Sequence, residues 1–345
     1  MAKNKYNGAI LDKKDLNKFF TSLASKFHIF APSKKDDGNS FVKVDSFDDI
    51  KFDYKNTKIS PKGFFFPQTE ILFNFNTEKN EIKHEDIKTN KQNLLFGIRP
   101  CDAMSISFLD KIFNETNPPD PYYVKKRSNS RIISFACNNP SSTCFCTSVG
   151  CGPDSEIGAD IVFFKLDGRY LIKSITPAGK EILENIKELL KPVTDNDLKE
   201  KERSISAAKN KIKKMFDLNV LPKKLDNFNG SYWEKFYQKC LGCGVCTYLC
   251  PTCHCFDITD EVSKSCGRRL RTWDSCMFAL FTLHASGHNP RPTQRERIRQ
   301  RIMHKFNYAP KNYDYTFCVG CGRCIIYCPV NMDIRYLIKE IMEEK

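Results

Sequence analysis

Two cysteine-rich segments constrain the fold of this chain more than any other feature of its sequence. The first runs from Cys240 to Pro251 and the second from Cys318 to Pro329, and both have the spacing C-x₂-C-x₂-C-x₃-C-P. Three thiols separated by two residues can wrap one face of an iron–sulfur cube, and the proline turns the fourth thiol towards a neighbouring cube. The doubled spacing therefore predicts two [4Fe–4S] clusters rather than a pair of zinc sites.

The same spacing predicts that the ligands cross between the two segments. One cluster takes the first three cysteines of the first segment and the last of the second, which are Cys240, Cys243, Cys246 and Cys328. The other takes the remaining four, which are Cys318, Cys321, Cys324 and Cys250.

A third [4Fe–4S] cluster is predicted in the N-terminal part of the chain. Its candidate ligands are Cys101, Cys137, Cys144 and Cys146. The first two follow the apolar segments 94–98 and 131–136, and neighbouring strands would bring them to one edge of a sheet. Zinc, or a group of buried reduced thiols, is the alternative. Cys151 lies in a Gly-Cys-Gly turn and is left out of this set.

Four more cysteines exceed the ligand count of the two segments, namely Cys253, Cys255, Cys266 and Cys276. One interpretation is that Cys253, Cys255 and Cys276 are buried thiols that pack near a cluster. The other is a further metal site, for which Cys266 could supply the fourth ligand.

The expected fold class is α+β, with three regions along the chain. Residues 1–190 form an α/β domain with the third cluster site, 191–229 a charged helical linker, and 230–345 an α-helical ferredoxin-like domain with two clusters. In the first region, Asp102 is expected to cap a helix, and Asp167-Gly168 to turn a hairpin. In the last region we expect helices and loops with little strand, including a helix opened by the capping box Thr293/Glu296.

The chain is basic, with a net charge of +14. Seven arginines in the C-terminal part either offset the negative charge of clusters or form a docking surface for an acidic partner: Arg268, Arg269, Arg271, Arg295, Arg297, Arg299 and Arg301. Nucleic-acid binding is disfavoured because no nucleic-acid motif accompanies the charge. No apolar run approaches the length of a membrane span, and no signal peptide is recognisable, so we expect a cytoplasmic protein without membrane insertion.

The sequence lacks the usual nucleotide-binding motifs, G-x-G-x-x-G and G-x₄-G-K-[ST]. It also lacks H-E-x-x-H, the zinc-binding motif of metalloproteases. We therefore predict no catalytic residues and a chain that transfers electrons for another subunit. Two other hypotheses are a catalytic iron–sulfur protein that reduces sulfur compounds and a zinc-dependent nucleic-acid-binding protein.

Further motifs add a family resemblance that extends over residues 27–335. They are FGIRPCD (96–102), DPYY (120–123), CFC (144–146), CPTCHC (250–255), RTWDSC (271–276) and HASGHNPRP (284–292). Together with the two segments, they resemble the beta subunit of cytoplasmic sulfhydrogenases, which are NAD(P)-linked nickel–iron hydrogenases. The chain is also similar to the iron–sulfur electron-transfer component of anaerobic sulfite reductases. The resemblance implies an iron–sulfur protein between a flavin-containing NAD(P)H diaphorase subunit and a hydrogenase, or alternatively a sulfite reductase.

Overall fold

The computed structural model describes residues 7–36, 38–84 and 91–344. The strands of these residues are β1 (Gly8–Asp12), β2 (Phe27–Pro32), β3 (Phe41–Lys43), β4 (Thr69–Asn76), β5 (Glu81–Lys83), β6 (Gln92–Ile98), β7 (Ser130–Phe135), β8 (Ile161–Lys165), β9 (Arg169–Ser174), β10 (Leu190–Lys191), β11 (Phe256–Ser263) and β12 (Cys266–Trp273). The helices are α1 (Leu16–Lys26), α2 (Pro100–Phe113), α3 (Pro121–Ser128), α4 (Pro177–Glu184), α5 (Asp195–Asn210), α6 (Leu221–Lys224), α7 (Trp233–Phe236), α8 (Val245–Tyr248), α9 (Gln294–Met303), α10 (Ala309–Tyr313), α11 (Arg323–Ile326) and α12 (Ile334–Glu343).

A mixed eight-stranded sheet forms the centre of the N-terminal region, in the order β10-β1-β9-β8-β7-β6-β2-β3. Its middle strands β2, β6, β7 and β8 are parallel and buried on both faces. In β6, Leu94 and Phe96 pack into one core while Leu95 and Ile98 pack into the other. A strand covered on both faces reads as a continuous apolar run, which is why the sequence predicted it.

The two apolar segments that precede Cys101 and Cys137 are adjacent strands. β6 pairs in parallel with β7, with Leu95 opposite Ile132. Their carboxyl ends therefore lie at the same edge of the sheet, as the prediction of a third site requires.

A second sheet, in the order β11-β12-β4-β5, joins the N-terminal region to the C-terminal region. The hairpin β11–β12 corrects the expectation of little strand in the C-terminal region, because β12 pairs with β4 of the N-terminal region. Phe256, Ile258 and Val262 alternate with polar residues along β11, so a strand signal was present although nearly every residue of this strand is exposed.

Helices and loops around a separate core make up the rest of the C-terminal region. This core includes Trp233, Ile298 and Phe306, and the buried face of α12 packs on it. The capping box Thr293/Glu296 is confirmed at the start of α9. With sheets, helices and a cysteine-rich C-terminal region, the α+β class is confirmed, whereas the limits of the three regions stay a prediction.

No helix in the described ranges is both long enough and apolar enough to cross a membrane.

A buried ion pair ties the two regions together. Asp102 does not cap α2, which begins earlier, at Pro100, with Arg99 as its N-cap residue. Instead the Asp102 carboxylate accepts hydrogen bonds from both terminal nitrogens of Arg323, at 2.6 and 2.8 Å, and both side chains are 1% exposed. The expectation of a cap was wrong because the carboxylate serves a distant guanidinium, which no local pattern reveals.

We expect Asp102→Asn to lower the free energy of unfolding by about 3–5 kcal/mol, because it leaves the Arg323 guanidinium buried without a counter-charge. Urea unfolding of the anaerobic protein, followed by circular dichroism, measures this loss. The control is Glu200→Gln, which removes a partly exposed partner of Arg169 and should cost less than about 1 kcal/mol. Equal losses in the two variants would contradict the prediction.

Candidate metal centres

The two cysteine-rich segments fold into loops with the same backbone pattern. In each loop, two glycines adopt positive φ angles: Gly242 (66°) and Gly244 (73°) in the first, Gly320 (62°) and Gly322 (78°) in the second. Left-handed residues on both sides of the middle cysteine curl the chain before a short helix, α8 or α11, begins. This curl is what three ligands from one loop need in order to face one group.

The first loop and the last cysteine of the second segment meet at one cavity. Its lining includes the four predicted ligands Cys240, Cys243, Cys246 and Cys328. The cavity measures about 70 Å³, and its other walls are mostly apolar, with Ile298, Ile302 and Leu337 among them. The structure thus brings the predicted crossed set together around one apolar space, although the ligand assignment itself stays a prediction.

The second predicted set lies deeper in the molecule. Cys250, Cys318 and Cys321 are only 8–9% exposed. Burial raises the pKa of Cys318 to about 12, and the neighbouring Cys250 and Cys321 add to this effect. A thiol with a pKa raised in this way stays protonated unless a metal takes the place of its proton. The donor set therefore fits a metal–sulfur group.

Three buried cations provide an independent test of that fit. Lys62, Arg301 and Lys305 are 2%, 7% and 4% exposed, and no carboxylate in the described part of the chain pairs with any of them. Arg301 donates to Cys253 Sγ at 3.3 Å, and Lys305 donates to Cys250 Sγ at 3.3 Å. Buried charges without counter-charges are costly. Clusters held by four thiolates carry net negative charge, so they fit these surroundings.

The seven arginines expected to offset cluster charge or to form a docking surface divide into different groups. Arg301 lies at the cysteines, and its guanidinium also donates to Cys246 O at 2.7 Å. Arg271 is buried in ion pairs with Glu70 and Asp120. Arg268 and Arg269 form exposed ion pairs with Glu261 and Asp260 across the hairpin. Of these four arginines, Arg271 and Arg301 therefore serve the interior of the protein, while Arg268 and Arg269 are paired with carboxylates on its surface.

The N-terminal cysteines gather against the second loop. Phe145, between Cys144 and Cys146, donates its backbone N–H to Gly320 O at 2.9 Å. A Cβ atom at Gly320 would lie 2.4 Å from the Cys146 nitrogen, so glycine is required for this approach. Burial raises the pKa of Cys144 to about 11, and the nearby Cys137 adds to it.

Cys151 belongs to the same group, although sequence reasoning left it out. It is 8% exposed, and its backbone N–H donates to Cys146 O at 3.1 Å. Burial raises the pKa of Cys146, and among the neighbouring thiols that raise it further, Cys151 has the strongest effect. Cys101, in the first turn of α2, lies near Cys321 and Cys151 instead. The structure thus gathers five N-terminal cysteines. The one sequence signal for Cys151 was its position, five residues after Cys146.

The remaining cysteines lie at the two ends of the hairpin β11–β12. Cys255 precedes β11 and Cys276 follows β12, and their mutual hydrogen bond lowers the pKa of Cys255 to about 7. Cys266 is exposed at the other end of β12, roughly 25 Å away for eight strand residues. It is therefore too far away to be a fourth ligand beside Cys276.

We expect Cys276→Ser to leave the iron content unchanged, because the serine hydroxyl can keep the hydrogen bond to Cys255. Iron per chain, measured on anaerobically purified protein, checks this. A loss of about four irons would show instead that these thiols hold a further cluster.

The ligands of a single ion converge more closely than those of an iron–sulfur cube, whose four thiolates surround four irons. Within the described residues, no three His, Cys, Asp or Glu side chains are placed to hold one metal ion.

Two matches to known proteins bear on these centres. Residues 239–332 match the family model of a 4Fe-4S dicluster domain, which implies [4Fe–4S] clusters in this region. Over 327 residues the chain is 33% identical to the beta subunit of sulfhydrogenase 2 from Pyrococcus furiosus, covering 94% of this chain and 95% of that protein. No solved structure matches.

Proposed function

Because the chain belongs to the family of sulfhydrogenase beta subunits, we propose that it is the iron–sulfur electron-transfer subunit of a hydrogenase complex. In this proposal, it connects a flavin-containing NAD(P)H diaphorase subunit with the hydrogenase module. [4Fe–4S] clusters supply reversible one-electron transfer when bound. The chain's own residues would hold these groups, separate them from water and balance their charge.

The observation that carries this proposal is the order of the cysteine groups through the molecule. The N-terminal group contacts the loop of Cys321, and the set of Cys321 borders the cavity of the Cys240 set, which Cys324 also lines. The middle set is buried, whereas Cys243 at one end is exposed. A row of sites with a buried centre suits a chain that receives electrons at one face and releases them at another.

Arg301 supports the same function by its position between the two C-terminal sets. It contacts Cys246 O of the first set, and it is close enough to Cys250 and Cys324 of the second for their charges to act on it. A fixed positive charge there would stabilise added negative charge on either side. The guanidinium keeps its charge at every physiological pH, so this effect does not depend on pH.

The test uses the intact complex, isolated without oxygen from the native host. We expect a flavoprotein and a nickel–iron hydrogenase to co-purify with the chain. Cys321→Ser, at the buried middle site, should abolish NAD(P)H-driven hydrogen evolution, while evolution driven by reduced viologen, which serves the hydrogenase directly, should remain. Cys266→Ser, on the exposed hairpin, is the matched control.

Size-exclusion chromatography establishes that the Cys321→Ser complex is intact before its activities are compared. NAD(P)H-driven activity that survives in this variant would contradict the proposal. So would a chain that oxidises NADH on its own, without a flavoprotein. Co-purification with a sulfite reductase would show that the chain serves a sulfite reductase instead of a hydrogenase.

A further inference from the structure

A cavity of about 590 Å³ opens at the carboxyl edge of the central strands, and no cysteine of the described residues lines it. Arg99 follows β6, Asn138 and Asn139 follow β7, and Lys165 ends β8, and all of them line it. Ligands of sheets with parallel strands bind at this edge, and pockets for small molecules have volumes of about 300–1,000 Å³. The size and the place of the cavity are therefore those of a ligand site.

Aromatic rings form the floor of this cavity. Phe135 stacks on Phe163 with ring centroids 4.7 Å apart, and Tyr170 lies 5.8 Å from both. Phe52 covers the same group from the side, 6.0 Å from Phe135. Phe163 is fully buried and supports the other rings, so Phe52, Phe135 and Tyr170 present the apolar wall on which a flat ligand can lie.

Several polar groups on the walls lack a partner. Tyr170 is 6% exposed, and within the described residues its hydroxyl makes no hydrogen bond. The side-chain amides of Asn138 and Asn139 are likewise unpaired in the part of the chain that the structure describes. Because no group of the described residues satisfies this hydroxyl or these two amides, they are free to pair with the polar edge of a ligand in the cavity.

The charge of the rim is positive. Lys13, Arg99 and Lys165 line the cavity against a single carboxylate, Asp53. Among the described residues, neither lysine has an acidic partner, while Arg99 is held over the Tyr54 ring at 4.2 Å. A negatively charged group of a ligand would satisfy these cations.

We propose that this cavity binds a planar aromatic anion of about the size of a mononucleotide. The rings take the flat part, the Tyr170 hydroxyl and the two asparagine amides pair with its polar edge, and Lys13 and Lys165 bind its anionic group. The sequence carries no nucleotide motif here, because the parts come from five separate segments of the chain. The proposal stands independently of the electron-transfer function.

Flavin mononucleotide is the probe, titrated into the full-length, anaerobically purified chain. Its fluorescence should be quenched when it stacks on the aromatic floor. AMP should displace it, and inorganic phosphate at the same concentration should not. Absence of quenching would overturn the proposal, and displacement by phosphate as effective as by AMP would overturn the aromatic part of it.

Two variants assign the binding to this cavity. Tyr170→Phe should weaken flavin mononucleotide binding about fivefold, and Lys165→Gln about tenfold. Because the Tyr170 hydroxyl has no internal partner, Tyr170→Phe should leave the unfolding midpoint of the free protein unchanged. Lys180→Gln, on the exposed face of α4, is the matched control. Affinity equal to wild type in both cavity variants would show that the probe binds elsewhere.

Discussion

Replacing Cys328 by serine is expected to remove the cluster of the first segment and to leave that of the second. Cys328 lies at the cavity of Cys240 and Cys243, although it belongs to the other segment in sequence. Iron should therefore fall by about four atoms per chain. Iron analysis, together with electron paramagnetic resonance of the dithionite-reduced protein, measures which cluster signal is lost.

The reciprocal variant Cys250→Ser supplies the matched comparison. It should remove the other cluster, because Cys250 is surrounded by the set of Cys318 and lies against Lys305. Cys266→Ser, at the exposed end of the hairpin, should keep all of the iron. If Cys328→Ser instead destroyed the signal that depends on Cys318, the crossed assignment would be wrong.

The second large effect concerns the N-terminal group. We predict about twelve irons per wild-type chain and about eight in Cys144→Ser, because Cys144 lies beside Cys137 and against the Cys321 loop. Zinc in place of iron, or about eight irons already in the wild type, would contradict a third cluster. Metal analysis of both proteins, prepared side by side without oxygen, decides between these results.

Cys101→Ser and Cys151→Ser form the matched pair for the fourth ligand of that site. Sequence reasoning chose Cys101, whereas the structure also places the buried Cys151 beside Cys146. Loss of iron in Cys101→Ser alone would uphold the set predicted from the sequence. Loss of iron in Cys151→Ser alone would show that Cys151, and not Cys101, is the fourth ligand.

Local patterns in the sequence predicted much of the structure. The parallel strands β6 and β7, the hairpin of β8 and β9, and the capping box at Thr293 all appear where they were expected. The existence of each of these elements depends on residues that are neighbours along the chain, so apolar runs, turn residues and caps were sufficient to find them.

Other features were hidden because they depend on partners far away in sequence. The sequence left two roles open for the arginines of α9, offset of cluster charge or a docking surface, and only the folded chain shows that Arg301 is buried at the cysteines. Asp102 looked like a cap and instead binds Arg323. The strand pairing of β12 with β4 joins regions that the sequence treated as separate.

The sequence by itself determined the spacing of the candidate cluster ligands, and the tertiary structure decided how deeply they are buried and which charges lie beside them. Ligand spacing is a local property, since three thiols in one loop can face one metal–sulfur group wherever that loop lies. Burial and charge balance are not local: they depend on which segments pack together. Only the folded chain could therefore show that Lys305 lies against Cys250, that Cys151 joins the N-terminal group, and that an aromatic cavity opens beside it.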